Sequence, residues 1–393
     1  MNRFHRGFYA FMRTVIKPYF RLNGYSWEPY EPKSGNYLVL TNHNTNWDFF
    51  LYGLVLKRHM YFVASEHIFR KGFTSKLIRF LADPIPRKKG ADGDDTVKLI
   101  LSRLKAGENV CMMAEGNRSF SGETCFISPR TAAVVKESGV GLITLAIHGC
   151  YFINPRWSKE KRRGPSSGSV VREYTAAEIA EMTEEEVYEA IKTDLWVDAY
   201  ADQRKSPARY TCKRPAERLE SALFLCPECG SMSSMSSCAD EFFCRSCGYR
   251  VRYNDYGFFE PAEKGGKLYY DTVAGWYHAQ LDKMRAELPG LKDDENPLFS
   301  DNNINLASVT PGKGTELLVS GEMIMFPGRL VFKGEGTEKT FRLEDIAKIS
   351  ITQTDVMLFT ASDGYYEVRP SEGTFSALKY MIASRFLIGK EYY

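Results

Sequence analysis

Along the first half of the chain, apolar and polar positions fall into blocks that switch between strand and helix periods. Residues 36–42 form a short apolar run bounded by Gly35 and polar neighbours, the pattern of a buried strand. Residues 49–56 continue as an apolar helix, 61–64 as a second strand, 74–81 as a helix and 92–104 as an amphipathic helix that ends before Gly107. Strand, helix and strand follow at 109–114, 131–137 and 142–147. This alternation predicts an α/β domain, a mixed central sheet flanked by helices. Residues 155–169 are basic and rich in Gly, Ser and Pro, and read as a surface loop. Thr183 and Glu186 form a capping box, and the helix behind it, through Val187, Ile191, Leu195 and Ala199, closes the first domain near residue 205.

The second half has a different texture. Residues 206–225 read as a linker or short helix, 226–260 as a cysteine-rich segment, 276–288 as one helix and 289–303 as a polar linker. Seven short alternating strands then follow at 317–319, 323–326, 329–333, 339–343, 346–352, 356–360 and 365–369, before a helix over 375–388. That succession predicts a small all-β barrel or sandwich closed by a helix.

Composition narrows the function classes. The 393 residues contain 52 Lys+Arg and 49 Asp+Glu, a net charge of +3, so bulk charge gives no reason to expect a nucleic-acid partner. No apolar run reaches the ~18 residues of a membrane-crossing helix. The average conceals a local bias: Arg3, Arg6, Arg13, Lys17 and Arg21 precede the first acid, Glu28. Phe4, Phe8, Phe11, Met12, Val15 and Tyr19 recur between them near a 3.6-residue period. Residues 1–30 therefore read as a basic amphipathic helix, interrupted near Pro18, that either lies in a membrane interface or packs on the domain behind it. Arg13 and Lys17 break any apolar signal-peptide core, so the expected setting is the reducing cytosol.

Three groups of residues suggest chemistry. His43 and Asp48, after Asn42, lie where a predicted strand runs into a helix, the edge at which α/β sheets bind ligands. An imidazole there can take a proton from an alcohol while the carboxylate fixes its tautomer. The plainer alternative is that Thr45, Asn46 or Asp48 caps the helix and His43 is structural. Glu115, Gly116, Asn117, Arg118 and Ser119 follow the strand at 109–114: Gly116 permits a tight turn, Arg118 offers a fork for phosphate, and Glu115 can orient Arg118 or bind a hydroxyl. Asp83 to Lys89 form a proline-flanked turn leading into Arg87, Lys88 and Lys89, either a phosphate site or a solvated basic turn.

In this order the residues resemble the glycerophospholipid acyltransferase family, which includes 1-acylglycerol-3-phosphate acyltransferases. Asn42, His43 and Asp48 match its N-H-x-x-x-x-D block, Arg87 its second block, and Glu115, Gly116, Arg118 and Ser119 its E-G-x-R-S block. Two patterns depart: residues 141–146 lack the prolines of the fourth block, and 126–129 replace its F-K-x-G. The resemblance covers about residues 1–205 and assigns 31–205 to an acyltransferase domain. It implies that His43, held by Asp48, deprotonates the free hydroxyl of a lysophospholipid, which attacks an acyl-CoA or acyl carrier protein thioester. Arg87, Glu115, Gly116, Arg118 and Ser119 would bind the acceptor. The leading acceptor is 1-acyl-sn-glycerol 3-phosphate, giving phosphatidate. The N-terminal helix then reads as a peripheral anchor on the cytoplasmic face of a membrane.

Cys226-x-x-Cys229 and Cys244-x-x-Cys247 are separated by 14 residues, and Gly230 and Gly248 follow the two pairs. This spacing predicts a zinc ribbon over 220–260, four thiolates closing a structural Zn²⁺ site, with a pair of redox motifs as the alternative. Cys238 lies in the intervening loop and is not expected to be a ligand, while Cys111, Cys125, Cys150 and Cys212 read as small buried or linker residues. Residues 261–303 supply a helix and linker. Residues 304–393 resemble a PH- or GRAM-like domain in strand count, the acidic segment at 343–346 and the closing helix. Such a domain either contacts membrane or partner, or is passive. A competing reading of the whole chain is a membrane-bound adaptor that binds lipid and recruits a partner through its ribbon and C-terminal domain.

Overall fold

The computed structural model describes residues 3–33, 35–65, 73–87, 93–293, 295–310 and 314–390. It divides into two units, Met1–Pro155 with Lys161–Thr211, and Arg156–Glu160 with Cys212–Tyr393. Lys88 and Lys89 lie outside the described residues.

The first unit is built on strands β1 (Tyr25–Trp27), β2 (Tyr37–Thr41), β3 (Met60–Ser65), β4 (Ile85–Arg87), β5 (Asn109–Met113), β6 (Gly141–His148) and β7 (Ser166–Tyr174). They form one sheet in the order β1-β7-β6-β2-β5-β3-β4. Every neighbouring pair is parallel except β6 with β7. Its helices are α1 (Arg3–Leu22), α2 (Asp48–Val55), α3 (Phe73–Ala82), α4 (Asp94–Lys105), α5 (Arg130–Ser138), α6 (Cys150–Ile153), α7 (Ala176–Glu181), α8 (Glu184–Leu195) and α9 (Ala199–Lys205). Central β2 is buried on both faces, which accounts for its unbroken apolar run. Tyr37 and Val39 join one core with Leu51, Leu54 and Ile143, while Leu38 and Leu40 join another with Ile100, Val135 and Leu142. The alternation of side chains along a strand produces this division.

Three expectations need correction here. The basic loop expected at 155–169 ends at residue 165, and β7 follows, a strand whose Gly and Ser content disguised it. A Cβ at Gly168 would collide with the Tyr25 hydroxyl, so the small residue is required by packing. The helix through Ala199 stops at Leu195, and α9 restarts because the Asp198 carboxylate accepts the Tyr200 and Ala201 N–H groups. The interruption near Pro18 is absent: α1 continues through it. Proline removes a single N–H, and Thr14, whose carbonyl loses its partner, is exposed to water.

One side of α1 is fastened to the domain. His5 is buried, with Nδ1 3.3 Å from the Tyr61 hydroxyl and Nε2 3.1 Å from the Phe80 carbonyl. Tyr9 donates to the Leu56 carbonyl, and Arg13 Nε donates to the Gly53 carbonyl at 2.5 Å, capping the C-terminal end of α2. The other side exposes Phe11, Val15, Tyr19 and Leu22, and Phe4 packs on exposed Phe80 of α3 at 5.1 Å.

The second unit contains a four-stranded antiparallel sheet, β8 (Met235–Cys238), β9 (Glu241–Cys244), β10 (Arg250–Tyr253) and β11 (Phe259–Pro261), followed by α10 (Val273–Glu287). A seven-stranded antiparallel sheet comes next: β12 (Phe299–Thr310), β13 (Gly314–Met325), β14 (Arg329–Gly334), β15 (Thr337–Arg342), β16 (Lys348–Thr352), β17 (Val356–Ala361) and β18 (Gly364–Pro370). Its order is β15-β14-β13-β12-β18-β17-β16. Helix α11 (Ala377–Leu387) buries Leu378, Tyr380, Ile382 and Phe386. The strand count agrees with expectation, but the strands differ. The polar linker to residue 303 conceals the start of β12, where a register shift between Asp301 and Ile304 leaves Asn303 at φ +60°. The strands expected at 317–319 and 323–326 are one, β13. Gly321 between them lets Lys333 of β14 approach too closely for any Cβ.

Candidate active site

Parallel strands β2, β5 and β4 deliver His43, Glu115 and Arg87 to one edge of the first unit's sheet, at or just past their C-terminal ends. Asn42 sets the exit of β2. Its side-chain amide donates to the Ile147 carbonyl and its Oδ1 accepts the Ile147 N–H, both at 2.9 Å, extending the pairing of β2 with β6 through a side chain. The Tyr52 hydroxyl donates to the Asn42 carbonyl.

The chain then turns into α2, and the turn closes on Asp48. Asp48 Oδ2 accepts from His43 Nδ1 at 2.8 Å, from the Asn44 N–H at 2.8 Å and from the Thr45 N–H at 3.0 Å. Its Oδ1 accepts from the Thr45 N–H and hydroxyl. Asp48 is fully buried at the N-terminus of α2, whose dipole favours a negative charge. The carboxylate therefore performs both tasks that the sequence left as alternatives: it shapes the turn and orients His43. With Nδ1 engaged, Nε2 is the ring nitrogen suited to accept a proton. The His43 side chain keeps 22% exposure, enough for a substrate to reach it.

Glu115 is buried and accepts the His43 N–H at 2.6 Å through Oε1 and the Cys125 N–H at 2.5 Å through Oε2. The expectation that it orients Arg118 or binds a hydroxyl gives way to this brace between two backbone segments. Burial pushes its carboxyl up to about 8, against the opposing pull of the two N–H donors. Gly116 has φ +66°, and a Cβ there would strike the Arg87 guanidinium. This close approach brings Arg87 against the Glu115–Ser119 loop. Ser119 is buried and its hydroxyl accepts the Gly122 N–H at 2.9 Å, holding the turn.

Arg118 Nε donates to the Asn44 carbonyl at 2.7 Å. Its Nη2 donates to the Asn154 carbonyl at 2.5 Å and to Asn154 Oδ1 at 3.1 Å. The motif arginine thus grips the His43 turn itself. Asn154 was missed in the sequence because it lies 36 residues beyond Arg118 and belongs to no motif.

In the second unit, Cys226, Cys229, Cys244 and Cys247 bring their sulfurs within 4.8 Å of one another. Cys226–Cys247 and Cys229–Cys244 are separated by 3.6 and 3.8 Å. Four thiolates at about 2.3 Å from a tetrahedral ion lie about 3.8 Å apart, so the set fits a metal such as zinc. The two turns are alike. Gly230 and Gly248 have φ +74° and +79°, and their N–H groups donate to the Cys226 and Cys244 carbonyls.

No curated protein matches the chain. Similar solved structures include the 1-acyl-sn-glycerophosphate (LPA) acyltransferase PlsC from Thermotoga maritima, at 18% identity and TM-score 0.42, covering 50% of this chain and 80% of that one. A chain of the 8S snRNP assembly intermediate has 11% identity and TM-score 0.20, covering 27% and 93%. The C-terminal domain of an unknown protein from Leishmania infantum has 14% identity and TM-score 0.14, covering 25% and 84%. The family model named Acyltransferase matches residues 26–148, the span holding the His43–Asp48 pair, Arg87 and the Glu115–Ser119 loop. Over residues 26–148 the chain is similar to the acyltransferase family.

Proposed function

We propose that the protein transfers a fatty acyl group from an acyl thioester, acyl-CoA or acyl carrier protein, to the free hydroxyl of a lysophospholipid. The foremost acceptor is 1-acyl-sn-glycerol 3-phosphate and the product phosphatidate. One observation carries the reading: His43 Nδ1 lies 2.8 Å from buried Asp48, on the sheet edge that also receives Arg87 and Arg118. His43 Nε2 takes the hydroxyl proton as the oxygen attacks the thioester carbonyl. The tetrahedral intermediate collapses, its C–S bond breaks, and the departing thiolate recovers the proton from the imidazolium. Asp48 stabilises that imidazolium without itself being protonated. Arg87 and Arg118 hold the acceptor phosphate, so the hydroxyl arrives oriented.

The four cysteines hold a structural Zn²⁺. Its closed ligand set leaves no position for substrate, so it takes no part in acyl transfer. The chain lies on the cytoplasmic face of a membrane as a peripheral protein. The exposed apolar side of α1, joined to α3 through Phe4 and Phe80, supports that placement, and among the described residues no helix is long and apolar enough to cross a membrane. The test is a screen of lysophospholipid and glycerol phosphate acceptors with isotope-labelled acyl-CoA and acyl carrier protein, read by lipid mass spectrometry. Labelled phosphatidate, lost in His43→Ala, is the expected product. No labelled lipid from any acceptor and donor would overturn the reading.

A further inference from the structure

The corner after β6 is built with unusual care for a segment outside every motif. Gly149 opens it at φ +75°, where a Cβ would strike the Pro165 carbonyl and the Tyr210 hydroxyl. One short helical turn, α6, ends at Asn154, whose N–H donates to the Cys150 carbonyl at 3.2 Å. The Arg162 N–H donates to the Ile153 carbonyl at 2.8 Å and ties the corner to the chain that returns. Asn154 is buried at 9% exposure, and both of its oxygens accept from Arg118 Nη2.

Through Arg118 this corner reaches the catalytic turn. Arg118 Nε donates to the Asn44 carbonyl, and the N–H of Asn44 donates to Asp48 Oδ2, which also accepts from His43. A guanidinium held on two sides by carbonyl oxygens is fixed in plane and rotation, as a lysine ammonium would not be.

We propose that Asn154 is a positioning residue for acyl transfer, acting through Arg118. It holds the guanidinium so that one edge secures the His43–Asp48 turn while the charge meets the acceptor phosphate. This rests on the acyltransferase reading above. The side-chain oxygen of Asn154 adds a third acceptor to the Asn44 and Asn154 carbonyls, and its loss loosens the hold on Arg118 at Nη2. Asn154→Asp keeps the acceptor oxygen but adds a negative charge, which competes with the substrate phosphate for the same cation.

The experiment measures kcat and both KM values for wild type, Asn154→Ala, Asn154→Asp, Arg118→Lys and the double variant Arg118→Lys/Asn154→Ala, with thermal melts as a control for folding. Asn154→Ala is expected to lower kcat/KM about tenfold, the order of one hydrogen bond to a charged group, with a raised acceptor KM and an unchanged thioester KM. Asn154→Asp is expected to raise the acceptor KM further, although it melts like wild type. In the Arg118→Lys background the alanine substitution is expected to cost less than twofold, because the fork it serves is gone. Losses that multiply in the double variant, or equal shifts in both KM values, would overturn the positioning role while wild-type activity stands. A wild-type chain that transfers no acyl group to any acceptor would instead overturn the acyltransferase reading, and this proposal with it.

Discussion

Glu115 Oε1 accepts the backbone N–H of His43 at 2.6 Å, so the buried carboxyl of one motif holds the main chain of another. Its charge state bears on stability. Burial raises its pKa from the ordinary carboxylate value to about 8, which means that the folded protein retains a proton the unfolded chain has released. That contribution is fully present below pH ~4.5 and declines as pH rises, until it is lost beyond the folded value near 8. Glu115→Gln removes the titration and keeps a carbonyl acceptor. Wild type should lose several kcal/mol relative to this variant between pH 5 and 8, at about 1.4 kcal/mol per pH unit at most. Chemical denaturation at a series of pH values checks this. Parallel stability curves for the two proteins would contradict it.

His43 and Asp48 should separate activity from stability. His43→Ala removes the proton acceptor from a side chain that is partly exposed, so acyl transfer should fall by at least about a thousandfold while the melting temperature changes little. Asp48→Asn affects both. The new amide would point N–H groups at the N–H donors of His43, Asn44 and Thr45, leaving buried donors unsatisfied. A loss of about 2–4 kcal/mol in stability should accompany the loss of transfer. Acyl-transfer assays paired with urea denaturation distinguish the two. An Asp48→Asn protein as stable as wild type would mean that the turn does not depend on this carboxylate.

These residues were legible in the sequence because one strand end carries each group: His43 and Asp48 bracket a single turn, and Glu115 to Ser119 a second. Their partners were not legible. Glu115 meets the N–H of Cys125 and Arg118 the carbonyls of Asn44 and Asn154, and backbone atoms leave no mark of their use in residue identity. The sheet shows the same limit. The apolar runs of β2 and β6 announce buried central strands, whereas β7 is only partly buried and its first half is spelled with Ser and Gly. Asp301 to Asn303 read as loop because a bulge places loop residues inside a strand.

The four thiols should hold one metal per chain. Cys229→Ser replaces an exposed sulfur of the set without altering the core, and should lower bound zinc measured by elemental analysis and reduce the melting temperature of the second unit. Chelation of the wild type should reproduce the shift, and added zinc should reverse it. Because the Gly230 and Gly248 turns shape the knuckles through backbone bonds, residual structure should survive metal loss, so partial rather than complete unfolding is expected in far-UV circular dichroism. Zinc content unaltered by Cys229→Ser would exclude the site.

Membrane attachment calls for surface substitutions rather than truncation. Deleting α1 would also remove His5, Tyr9 and Arg13, whose contacts with Tyr61, Leu56 and Gly53 hold the domain together, so lost binding and lost folding would be confounded. Phe11, at 61% exposure, and Phe80, at 64%, face solvent on α1 and α3. Replacing each by Ser should weaken binding to anionic vesicles about tenfold per ring, the scale of a largely buried aromatic side chain, and leave the melting temperature within a degree or two. Raised salt should weaken binding as well, since cations on α1 meet lipid phosphate within a Debye length. Arg13 is the informative exception. Its guanidinium is directed at the carbonyls of Gly53, Leu54 and Lys57, so Arg13→Gln should destabilise the fold while changing vesicle affinity little. Vesicle co-sedimentation of the Phe11→Ser/Phe80→Ser protein at wild-type levels would show that the apolar side of α1 and α3 is not the surface that meets lipid.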